Sequence, residues 1–161
     1  MLKYVDTAVT FSEIPDEITL CINFSNCPCK CKGCHSSYLA EDIGEILYMS
    51  SLLHLCDKNI GISCVSFMGG DSNPASINTL AMIIKLNKPK LKVAWYSGRQ
   101  EISKDIDIAL FDYIKVGPYI EELGPLNSKT TNQRMYKVCN MSSVNEEPRY
   151  ELIDITYKFW K

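Results

Sequence analysis

The chain has no charge excess of either sign. In 161 residues, 17 Lys and Arg stand against 19 Asp and Glu, for a formal net charge of −2. This argues against a nucleic-acid binder that relies on a basic surface, and against an acidic disordered tail. No apolar run approaches the roughly 18–20 residues needed to span a bilayer. The opening MLKYVDTAVTF has no basic region followed by an apolar run and a small-residue cleavage site. Internal repeats, low-complexity tracts and long linkers are also missing. The expectation is a soluble, cytoplasmic protein with no nucleic-acid or membrane partner, folded as a single domain over residues 1–161. Its core spans about residues 16–138, and residues 139–161 form a C-terminal extension of β character.

Eight cysteines are the unusual count. A secreted chain would use them in disulfides, but there is no export signal, and 46% apolar residues build a core without covalent staples. Cys27, Cys29, Cys31 and Cys34 crowd into one short stretch, which is poor spacing for closing stabilising loops. In a reducing compartment such a cluster holds a metal more often than it forms disulfides. Cys21, Cys56, Cys64 and Cys139 lie in apolar surroundings and read as core thiols.

Along the chain, two periodicities alternate. Glu17–Phe24, Ile62–Met68, Leu91–Ser97 and Leu110–Val116 are short apolar runs of strand type, three of them stopped by glycine at 69, 98 and 117. Ile43–Asp57 predicts a helix, and Asn73-Pro74 opens another in which Ile77, Leu80, Ala81 and Ile84 follow the helical spacing. Residues 101–108 read as a weak helix or turn, residues 1–15 as a hairpin or edge strand, and Met135–Val138 and Tyr150–Phe159 as β-like. Strand–helix–strand alternation implies right-handed crossovers and a parallel sheet. The predicted fold class is therefore α/β, and at this length a (β/α) barrel is only partial and open on one side. In such sheets ligands sit beyond the carboxyl ends of the strands. The cysteines, Gly69–Asp71, Ser97-Gly98-Arg99 and Gly117 all follow strands, so all fall on that edge.

The spacing Cys27-x3-Cys31-x2-Cys34 supplies three thiolates in one loop. On a four-iron cluster, three ligands leave one iron open to substrate, whereas four would saturate it. Lys30 and Lys32 beside the ligands would favour thiolates and an anionic cluster, or are simply solvated. Cys29 is separated by a single residue from both Cys27 and Cys31, too close to share their centre comfortably, and reads as a spare thiol. A structural zinc site of all four cysteines is the rival, although zinc modules usually bring two separated pairs together. His35 has no catalytic partner nearby, and His54 sits in a helix that looks structural.

The cysteine spacing resembles the radical SAM signature. CKGCH, with Gly33 before the third cysteine, is similar to the branch that activates anaerobic ribonucleoside-triphosphate reductase. FMGGD (67–71), DYIKVGPY (112–119) and TNQR (131–134) resemble that branch's later elements, so the resemblance runs from about residue 20 to residue 138. It implies a partial barrel of radical SAM type, a [4Fe–4S] cluster held by Cys27, Cys31 and Cys34, and reductive cleavage of S-adenosyl-L-methionine to methionine and a 5′-deoxyadenosyl radical. That radical would generate a glycyl radical on the reductase, with an electron donor such as flavodoxin or ferredoxin. The resemblance sets Gly33, Cys34 and His35 against the adenosyl moiety, and Gly69, Gly70 and Asp71 at the methionyl amine. Ser97 and Lys115 are set at the ribose or the pocket wall. In two places the sequence departs from the pattern. Asn26 stands where the branch usually has glycine, and Asn tolerates the φ > 0 that such an entry asks for. Cys29 is uncommon. An activase of another glycyl radical enzyme and a non-catalytic metal-binding module are the alternatives.

Overall fold

The computed structural model describes residues 1–160. Eight strands are present: β1 (Lys3–Thr10), β2 (Thr19–Phe24), β3 (Glu45–Ile46), β4 (Cys64–Met68), β5 (Lys92–Tyr96), β6 (Tyr113–Val116), β7 (Arg134–Asn140) and β8 (Tyr150–Asp154). Two α-helices, α1 (Met49–Lys58) and α2 (Pro74–Asn87), lie between them. All the strands join one sheet in the order β3-β1-β2-β4-β5-β6-β7-β8.

The central strands β2, β4, β5 and β6 pair in parallel, as their apolar runs predict. The expected partial (β/α) barrel is not what forms. Among the described residues the fold is a mixed eight-stranded sheet, mostly β, with only two α-helices. A barrel needs a helical crossover after each strand to keep the chain parallel. Here the β5–β6 connection carries only a 3₁₀ turn at Ile108–Leu110, and β7 and β8 then double back antiparallel. On the other side β1 runs antiparallel to both β2 and β3. Antiparallel strands on both flanks extend the sheet outward instead of closing it.

The helix predicted from Ile43 is also shorter than its apolar stripe. Gly44 has φ +84°, and a Cβ there would lie 2.1 Å from the Tyr4 carbonyl oxygen. That close approach lets Glu45 and Ile46 pair with β1, and α1 begins only at Met49. In α2 the expected start holds: Asn73 Oδ1 accepts from Ser76 N at 3.1 Å, with Pro74 in the first turn.

Alternation along the strands divides the sheet into two unlike faces. Leu20, Ile22, Val65, Phe67, Val93, Trp95 and Ile114 point to the helices and meet Leu52, Ile77, Ala81 and Ile84 in the main core. Each such side chain contributes about 1.5–3 kcal/mol when fully buried. Cys64, Ala94, Tyr113 and Met135 point the other way and form a smaller cluster with Ile14 and Ile155, against which Tyr96, Leu126 and Phe159 pack. Among the described residues this second face has no α-helix over it, and it carries the cavity described below.

At the amino ends of the parallel strands, buried Glu17 accepts from Ser63 Oγ at 2.6 Å and Tyr113 OH at 3.2 Å, and pairs with Lys92. Burial works to raise the Glu17 carboxyl, but these donors outweigh it and hold the group below its ordinary value. Lys85 and Lys88 are likewise paired, with Asp112 and Asp57. Among the described residues no helix is long and apolar enough to cross a membrane.

Candidate metal and cofactor site

The cysteine loop leaves the carboxyl end of β2 and is pinned where it departs. Ser25 N donates to Lys3 O at 3.0 Å and Ser25 Oγ to Ile43 O at 2.7 Å. Asn26 has φ +58°, the left-handed entry its identity suggests, and its amide donates to Asp42 Oδ1 at 2.8 Å. Cys27 N donates to Leu39 O at 2.9 Å. Lys30 (φ +44°) and Gly33 (φ +73°) then coil the chain, and Cys34 N donates to Cys31 O at 3.2 Å.

Cys27, Cys31 and Cys34 are half-buried free thiols in the wall of one open cavity of about 680 Å³. Gly33 and His35 share that wall, so five of the residues singled out in the sequence come together. His35 is exposed, its Nδ1 3.5 Å from Ser36 Oγ. Among the described residues, no three His, Cys, Asp or Glu side chains converge to hold a single metal ion. Structural zinc needs four donors around one point. A four-iron cluster takes each thiolate on a different iron, so its donors stand further apart, and thiolates are its usual ligands. Cys27, Cys31 and Cys34 are thiol donors of the kind such a cluster uses.

Cys29 is placed differently from its neighbours. It reaches the cavity, but its Sγ is packed against Gly98. Burial pushes its thiol up to about 12, with the Asp71 carboxylate and Cys27 and Cys31 adding to the effect.

Gly69, Gly70, Asp71 and Ser97 lie at the same strand ends but do not line the cavity. Gly69 O accepts from Trp95 Nε1 at 2.8 Å, and a Cβ on Gly70 would stand 2.5 Å from Ile77 Cδ1. Asp71 is 1% exposed. It accepts from Ser97 Oγ at 2.6 Å and Gly98 N at 2.9 Å, while Arg99 Nη2 donates to its carbonyl at 3.0 Å. Asp71 thus clamps the loop after β4 to the loop after β5, behind Gly98.

Lys115 does line the cavity, at 8% exposure. Its Nζ donates to Gly117 O at 2.7 Å and Ser97 O at 3.4 Å, and lies 6.0 Å from the Tyr96 ring centroid. Burial lowers its ammonium to about 8, against the pull of Asp71 and the thiols of Cys31, Cys29 and Cys34.

No family model, curated protein or solved structure matches this chain. Its site is therefore read from its own geometry.

Tyr96, Leu126 and Phe159 were not singled out in the sequence, and Tyr119 and Gln133 stood out there only as members of DYIKVGPY and TNQR, with no place in the wall. Tyr96, Tyr119, Leu126, Gln133 and Phe159 come from β5, from the β6–β7 connection and from the C-terminal 3₁₀ turn. One signal was available. Gln133 is two residues before Met135 in a β-like run, so a period of two puts both on one face.

Proposed function

We propose that this chain is a radical SAM enzyme that activates an anaerobic ribonucleoside-triphosphate reductase by generating a glycyl radical on it. One observation carries the reading: the three cysteines of the Cys27-x3-Cys31-x2-Cys34 loop open into a single large cavity walled by buried Lys115 and aromatic side chains. The reading takes nothing from the overall fold.

Cys27, Cys31 and Cys34 would hold a [4Fe–4S] cluster. When bound, such a cluster would supply one electron to the sulfonium of S-adenosylmethionine, whose cleavage gives methionine and a 5′-deoxyadenosyl radical. The chain's own residues bind and shelter the substrate. Lys115 places a cation, fixed by two backbone carbonyls, on the cavity floor, where it would favour the methionyl carboxylate. Tyr96, Leu126 and Phe159 present apolar surface that would keep water from a reactive radical. Asp71 acts at one remove, fixing Gly98 and Ser97. The partners on this reading are the glycyl-radical subunit of the reductase and a one-electron donor such as flavodoxin or ferredoxin. The compartment is the reducing cytoplasm.

The test is 5′-deoxyadenosine formation from S-adenosylmethionine by anaerobically reconstituted, chemically reduced protein, with Cys31→Ala as control. Formation by the native chain alone supports the reading. A chain that holds iron yet cleaves nothing, even with the reductase present, would falsify it.

A further inference from the structure

Gln133 stands immediately before β7, across from Gly117 at the end of β6. Gly117 has φ +105°, and a Cβ there would lie 2.8 Å from Gln133 Cα and 3.4 Å from its Cγ. Only glycine permits that approach. The main chain around Gln133 is held from several sides. Its N–H donates to Thr131 Oγ1 at 3.1 Å, its carbonyl accepts from Arg134 Nη1 at 2.7 Å, and Asn132 Nδ2 donates to Pro118 O at 2.9 Å. Met135, two residues on, belongs to the apolar cluster of the cavity face, and Gln133 shares that face.

Gln133 is 6% exposed and lines the cavity, yet among the described residues its carboxamide makes no hydrogen bond. Its polar neighbours in the wall are satisfied: Lys115 donates to Gly117 O, and Tyr96 OH to Glu13 O. Its carboxamide is not sealed from solvent: it opens to the cavity, where it is free to meet a ligand.

The chemistry of the group narrows the ligand. A carboxamide offers an N–H donor and a carbonyl acceptor side by side. A carboxylate would use only the donor half and an ammonium only the acceptor half. The N6 amine and N7 of adenine match both at once. Tyr119, Leu126 and Phe159 in the same wall offer the flat apolar surface that a heteroaromatic ring prefers. We propose that Gln133 reads the hydrogen-bonding edge of a purine, the adenine of S-adenosylmethionine. The assignment rests on the function proposed above.

The test is equilibrium binding to the anaerobically reconstituted protein. The probes are S-adenosylmethionine and two analogues, one with N7 replaced by C–H and one with the exocyclic amine replaced by oxygen. The native chain should prefer the parent compound by roughly tenfold or more over each analogue. Gln133→Met should bind all three within about twofold of one another, and Gln133→Glu should lose the preference that depends on N7. Because the carboxamide bonds nothing among the described residues, Gln133→Met should keep the native urea midpoint without ligand, which separates lost recognition from lost folding, and Gln133→Glu is read only where its urea midpoint shows it folded. Full discrimination by either folded variant would overturn the Gln133 assignment and leave the proposed function standing. So would a variant that keeps its base preference and fails only toward the protein recipient, since that points to peptide recognition. If the native chain binds none of the three compounds, both readings fall.

Discussion

Cys29 and Gly98 are fitted to each other: a Cβ on residue 98 would stand 2.8 Å from Cys29 Sγ and 3.2 Å from Cys29 Cβ. The cysteine loop therefore rests on the loop after β5 at the one place where that loop has no side chain. Asp71 holds Gly98 from behind through its N–H, so three strand-end loops meet at this point.

Gly98→Ala should destabilise the protein by about 1–3 kcal/mol, the usual cost of overpacking. Pairing it with Cys29→Ala should recover most of the loss, because the methyl then meets space vacated by sulfur. Urea unfolding of the two single variants and the double variant would measure the coupling. Additive losses would show that the two loops do not press on each other.

Cys29→Ala should retain the iron content of the native chain after anaerobic reconstitution, whereas Cys27→Ala, Cys31→Ala and Cys34→Ala should each lose most of it. Cys29 Sγ is packed against Gly98, whereas Cys27, Cys31 and Cys34 carry the three-ligand spacing. Iron and sulfide analysis of the four variants decides the matter. Loss of iron in Cys29→Ala would make the site a four-ligand one.

Asp71→Asn should cost about 1–3 kcal/mol, since Ser97 Oγ and Gly98 N would face a weaker acceptor or an amide donor in a buried place. Hydrogen exchange at the Gly98 amide should rise with it. An unchanged exchange rate would mean that the clamp does not hold the loop.

Glu17 predicts an acid limb to stability. Its folded carboxyl titrates below its unfolded value of about 4.3, so its contribution is fully present above that pH and is lost as pH falls toward the folded value. Glu17→Gln should lower stability at neutral pH by about 1–2 kcal/mol and flatten the decline below about pH 4. Urea midpoints across pH 3–7 would show it. Parallel curves for the native chain and the variant would rule the contribution out.

Short apolar runs placed β2, β4, β5 and β6 correctly, three of them closed by glycine, because such a run with a chain-reversing residue at its end is a local signal. The cysteine loop was equally legible: its spacing, the left-handed entry at Asn26 and the turn at Gly33 are properties of neighbouring residues. Gly69-Gly70-Asp71 was legible as a strand-end loop, but not as one turned inward. That depends on Ile77 against Gly70 and on Ser97 and Gly98 around Asp71.

By itself, then, the sequence determined the local chemistry of this protein: which runs become central strands, where they stop, and which thiols one loop presents. The tertiary structure alone decided that the sheet continues antiparallel on both flanks, that Glu45 and Ile46 leave the helical pattern to pair with β1, and that Gln133 stands across from Gly117 with its amide unbonded. The reason is physical. Periodicity and turn residues act between neighbours in the chain. Strand order and the last partner of a buried polar group are set by contacts between residues far apart in it.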